Sequence, residues 1–80
     1  MIEVKDEKYL KIFGEFLRKL RNERGMSQEK LANNAGVSIS QITRIENATI
    51  NPTLCTIKAL AKGLGVKTAV LFEFENELDS

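Results

Sequence analysis

Histidine is absent from the 80-residue sequence, and Cys55 is its only cysteine. Within these residues that removes Cys/His zinc sites, Ser-His-Asp or Cys-His nucleophile pairs and any intrachain disulfide. Glycine-rich phosphate loops are missing too, because Gly14, Gly25, Gly36, Gly63 and Gly65 never fall in G-x-G-x-x-G or G-x-x-x-x-G-K spacing. Carboxylate pairs remain, but nothing else in the chain builds a pocket around them. No enzyme activity, cofactor, metal or small-molecule ligand is therefore expected. Uncharged apolar runs extend only a few residues, far short of the roughly 20 a membrane span needs. The N-terminal MIEVKDEKYLK mixes both charge signs and lacks the apolar core of a signal peptide. The expectation is a cytoplasmic protein with no membrane partner.

What is present suits one soluble domain spanning 1–80, with 42% apolar and 29% charged residues. At this size folding buries only about 60–65% of the unfolded chain's surface, so self-association would add useful burial. The net charge of +1 is unevenly spread. Residues 1–66 hold 11 basic and 7 acidic side chains, a net of +4, while Lys67 faces four acids in 67–80, a net of −3. A basic body with an acidic tail is compatible with a polyanionic partner.

Helical periodicity dominates. Leu10, Phe13, Leu17 and Leu20 form one apolar face of a first helix, with Asp6 as its N-cap, Arg21 and Arg24 in its last turn and Gly25 as its stop. Residues 1–7 are expected to be a flexible arm. Ser27 caps a second helix that ends at Gly36. Ser38-Ile39-Ser40-Gln41 is a capping box that opens a third, with Ile42 and Ile45 as core residues. Asn47 to Pro52 reads as a loop. Thr53 caps a fourth helix whose Leu54, Ile57, Leu60, Ala61 and Leu64 form an apolar face, closed by Gly65. Cys55 is expected to be a small packing residue. The β-branched and aromatic run Thr68–Phe74 would allow a strand, but the all-helical context favours a short helix.

Residues 27–47 have the pattern of a helix-turn-helix unit. Its two helices cross steeply with almost no spacer, so the residue types are constrained. Ala32 is the small residue at the close approach, and Gly36 tolerates the left-handed conformation that opens the turn. Leu31, Ala35, Val37, Ile42 and Ile45 close the corner from both sides.

From about Gly14 to Phe72 the chain resembles the lambda-repressor-like, Cro-type helix-turn-helix family of bacterial and phage regulators. The stretch GEFLRKLRNERGMSQEKLANNAGVSISQITRIENATINPTLCTIKALAKGLGV carries the likeness. The resemblance implies an all-α fold, a compact bundle of five short helices, binding double-stranded operator DNA as a two-fold symmetric homodimer. The motif's second helix, 38–47 here, would lie in the major groove. At about 100° per residue, with Ile39 as zero, Ser40, Thr43 and Arg44 share its outward side and Ile42 and Ile45 oppose them. Those four outward residues match the family's base-reading positions. Arg44 suits guanine O6 and N7, and Ser40 and Thr43 suit base edges or phosphate. Ile39 stands where the family often has Gln or Arg, and either touches a thymine methyl or packs.

Gln28, Ser38, Gln41, Asn47, Asn51 and Arg18 match or neighbour positions that would hold the DNA backbone. Gln28 in the family also braces the reading helix, Asn47 is equally suited to a helix C-cap, and Lys19 lies beside Arg18. Ala48 replaces a common glycine, implying a shifted loop or a left-handed Asn47. The resemblance makes Arg21 and Glu46 a partly buried structural ion pair. Residues 53–76 are the expected dimerisation region, with Leu54, Val70, Leu71, Phe72 and Phe74 supplying more apolar surface than a short terminal segment easily buries. With no ligand or catalytic domain attached, control is expected through protein concentration and operator occupancy. The size resembles restriction–modification controller proteins, phage-type repressors and some antitoxins alike. The rival reading is an interaction module of the same fold that binds a toxin or RNA polymerase with little specific DNA readout. Arg44, Gln28 and Ser40 favour DNA, whereas the mild net charge favours the rival.

Overall fold

The computed structural model describes residues 4–78, of Glu77 the backbone alone. Four capped helices follow one another: α1 (Glu7–Glu23), α2 (Gln28–Ala35), α3 (Ile39–Glu46) and α4 (Leu54–Leu64). A 3₁₀ helix (Thr68–Phe72) and a single turn, α5 (Glu75–Leu78), complete the chain, and the described residues contain no strand. Each long helix begins where a short polar side chain can take an unpaired backbone N–H. Asp6 accepts from Tyr9 N at 3.0 Å, Ser27 from Lys30 N at 3.0 Å and Thr53 from Thr56 N at 3.1 Å. Ser38 and Gln41 form the reciprocal box, each accepting from the other's backbone N–H at 3.1 Å. Helix α1 therefore already includes Glu7. The arm expected over 1–7 reduces to residues 4–6, which precede α1 without secondary structure, with 1–3 outside the described residues.

The turn between α2 and α3 is made by Gly36 at φ +74°, with the N–H groups of Gly36 and Val37 both donating to Ala32 O. That left-handed closure lets α3 start three residues later, at Ile39, at a steep angle. The core joins Phe13 and Leu17 of α1 to Leu31, Ala32, Ile42, Ile45, Leu60, Ala61 and Leu64, with Leu71 and Phe74 closing it from the C-terminal side.

Two helix approaches need glycine. A Cβ on Gly14 would lie 2.6 Å from the carbonyl oxygens of both Ile45 and Glu46, so α1 and the end of α3 meet backbone to backbone there. A Cβ on Gly63 would sit 3.0 Å from Ala35 and Leu31, where α4 crosses α2.

Three expectations are corrected, and the short helix expected near the C-terminus is borne out in a tighter form. Leu71 and Phe74 are 0% and 1% exposed, so they complete this chain's own core and offer nothing to a second copy. Phe74 packs edge-on against Tyr9 and Phe13. The expected short helix forms as a 3₁₀ helix over Thr68–Phe72, with the Val70 and Glu73 N–H groups bonding three residues back. This tighter winding aligns residues three apart, and with it both Leu71 and Phe74 reach the core. Asn47 is not left-handed (φ −90°). Ala48 itself adopts φ +62°. Cys55 is exposed, not packed, because α4 turns its Leu60–Leu64 face inward.

Candidate nucleic-acid interface

Helix α3 is short enough for its two faces to be traced residue by residue. Ile42 and Ile45 are fully buried, whereas Ser40 and Arg44 are exposed and Ile39 is 46% exposed. Thr43 is half-buried at the edge nearest α2. Ile39, Ser40, Thr43 and Arg44 thus form one continuous outward surface, as the angular spacing predicts. Ile39 keeps nearly half its surface, enough to contribute an apolar contact from this face. Arg44 stands in the last turn of α3, where a cation complements the helix dipole.

Beneath this face lies a polar network around one carboxylate. The Glu46 side chain has no solvent exposure and accepts from Arg21 Nε at 2.7 Å, Arg21 Nη2 at 3.1 Å, Gln28 Nε2 at 3.0 Å and Arg18 Nε at 3.4 Å. Burial pushes the Glu46 carboxyl up. The hydrogen bonds from Arg21 and Gln28, the Arg21 charge and the Arg18 bond outweigh it and hold the group below its ordinary value. Arg21 also donates to Met26 O at 2.7 Å, anchoring the α1–α2 turn. Among the described residues no buried side-chain nitrogen or oxygen lacks a partner. Helices α1, α2 and α3 are therefore locked together at the base of the outward face.

The residues matched to phosphate-holding positions divide. Gln28 sits at the first turn of α2 and links Glu46 to Thr43, whose hydroxyl donates to Gln28 Oε1 at 3.1 Å. Arg18 reaches from α1 to Asn47 Oδ1 at 3.0 Å, drawing Arg18, Gln28 and Asn47 to one side of α3. Ser38 and Gln41 are occupied with each other in the capping box. Asn51 lies in the α3–α4 loop and donates to Val4 O at 3.2 Å, which ties the N-terminal segment to that loop. The resemblance has Gln28 brace the reading helix, but that it does so through Thr43 escapes sequence reasoning, as do the roles of Gly14 and Gly63. The glycines leave one signal: each interrupts a helical pattern at a cost of about 0.5–1 kcal/mol relative to alanine, which marks a close approach.

Two helices joined by a glycine turn, the second presenting an ordered polar face, define a helix-turn-helix protein. A family model described as helix-turn-helix matches residues 17–71. The chain belongs to that family. It is similar to the control protein C.BamHI of Bacillus amyloliquefaciens, 38% identical over 64 residues that cover 79% of each protein. The immunity repressor of Bacillus phage phi105 is 34% identical over 58 residues, 72% of this chain but only 40% of the repressor. Among solved structures, the restriction-modification controller protein C.AhdI from Aeromonas hydrophila superposes with a TM-score of 0.79 at 37% identity, covering 81% of this chain and 98% of that one.

Proposed function

We propose that the chain is a sequence-specific DNA-binding transcriptional regulator that binds a two-fold symmetric operator as a homodimer. The observation that carries this reading is the outward face of α3. Ser40, Thr43 and Arg44 are polar, accessible and hydrogen-bond capable, on a helix whose back is anchored by Ile42, Ile45 and the buried Glu46. A major groove admits one α-helix, and its base edges answer to these side chains. Arg44 suits guanine O6 and N7, while Ile39 suits a thymine methyl. Arg18, Gln28 and Asn47 flank the helix and suit the phosphates, aided by the N-terminal amides of α2. The relatives' own descriptions, a control protein and an immunity repressor, support the same class.

For the dimer we propose Leu54, Val70 and Phe72. Leu54 is 74% exposed at the start of α4, and Val70 and Phe72 are half-buried on the adjoining 3₁₀ helix. A regulator of this kind performs no chemistry, and no described helix is long and apolar enough to cross a membrane.

The test is selection of binding sites from a randomised duplex pool, then titration of the winner against scrambled DNA at several salt concentrations. The expected result is a palindromic consensus bound at least about a thousandfold more tightly than scrambled sequence. Weak binding that salt abolishes equally for both duplexes would leave only phosphate attraction and overturn the reading.

A further inference from the structure

The polar network beneath α3 has a direction. Glu46 is ringed by two arginines and held in its ionised form, so it only accepts hydrogen bonds. Gln28 must therefore turn its NH₂ group toward Glu46, as Nε2 does at 3.0 Å, and this leaves its carbonyl oxygen facing Thr43. The Thr43 hydroxyl donates to that oxygen at 3.1 Å. A hydroxyl has one proton and two acceptor positions. With its proton committed inward, Thr43 offers the outside only a lone pair and its methyl group.

We propose that Gln28 sets the hydrogen-bond polarity of Thr43, making it an acceptor-only reader that selects an amino-bearing base, adenine or cytosine, on the strand it faces. In the major groove the donors are adenine N6 and cytosine N4, whereas guanine O6 and N7 and thymine O4 accept. A freely rotating threonine meets either kind of edge. A threonine whose proton is held by Gln28 leaves two lone pairs opposed when it meets a keto base. Gln28 is thus a positioning residue for specificity in addition to any phosphate contact. The proposal rests on α3 lying in the major groove.

The experiment compares selected consensus sequences for the wild type, Thr43→Val and Gln28→Met. Valine keeps the threonine's shape without the hydroxyl, and the position whose preference it erases is the one Thr43 reads. There the wild type is expected to show adenine or cytosine by roughly two- to tenfold, the worth of one neutral hydrogen bond. Gln28→Met keeps side-chain length but releases the Thr43 proton, and should admit guanine and thymine at that same position alone. A mere phosphate role for Gln28 would instead weaken every sequence alike. Guanine or thymine in the wild-type consensus at that position overturns the inference, even if Gln28→Met fails to fold. A folded Gln28→Met with unchanged preference overturns it as well, as does a Thr43→Val that alters no position. A wild type that selects no sequence at all refutes the DNA-reading assignment itself, a separate outcome.

Discussion

Arg44 is the only cation on α3, and its guanidinium stands clear of the Glu46 network that engages Arg18 and Arg21. Replacing it should remove recognition without disturbing the core. Arg44→Ala is expected to fold normally by circular dichroism and to lose about 1–3 kcal/mol of discrimination at one symmetric base position. An unchanged consensus would take Arg44 out of the reading set. Ala48 makes the opposite case, a residue whose importance is conformational. An L-residue at φ +62° carries about 1–2 kcal/mol of strain, part of which glycine gives back through its freer unfolded chain. Ala48→Gly should raise stability by about 0.5–1 kcal/mol, read in a thermal melt, with base preference intact. The sequence marks Ala48 as a departure but not how the chain absorbs it. That depends on the Ala48 and Thr49 N–H groups bonding back to Ile45 O and Arg44 O, which no local propensity encodes.

Between residue and whole lie the helices, whose arrangement depends on Glu46. It receives bonds from both α1 and α2, so losing its charge loosens all three helices of the reading unit. Glu46→Gln leaves Arg21 with a buried, uncompensated charge and should cost about 3 kcal/mol at neutral pH. For a chain this size that lowers Tm on the order of 12–24 °C. The pH dependence has a defined sign. The folded-state carboxyl titrates below its ordinary value of 4.5, so its contribution is complete above that value and lost as pH falls through the lower, folded one. The gap in Tm between wild type and Glu46→Gln should accordingly close in acid, and a gap independent of pH would contradict the ion-pair account. Helix starts were legible because Asp6, Ser27, Ser38 and Thr53 bond within their own first turns. Helix contacts were less so. That Gly14 must lack a Cβ follows only from the carbonyls of residues some thirty positions away.

For the molecule as a whole, the monomer has taken part of the surface that composition assigned to a partner. Counting apolar residues in 68–74 could not show that a 3₁₀ turn folds Leu71 and Phe74 into the core. Leu54, left outside, is the place to test association. Leu54→Glu puts an acid in the first turn of α4, where the dipole favours it, so monomer stability should change by less than about 0.5 kcal/mol. Sedimentation equilibrium should show weaker self-association, and operator affinity should fall with it. An unaltered monomer–dimer balance would remove Leu54 from the interface. If the dimer forms as proposed, selected half-sites should lie about 10 bp apart, or a multiple of that.

The seat of Phe74 against Tyr9 and Phe13 also governs when this protein can first exist. Its opening helix and its last core residue are separated by about 60 positions. At about 5–20 residues per second, a ribosome delivers Phe74 some 3–12 s after Phe13. Throughout that interval Tyr9, Phe13 and Phe16 wait without their final covering. The nascent chain passes through a stage in which the aromatic side of α1 lacks its cover, and the native core closes only once residue 74 has cleared the exit tunnel.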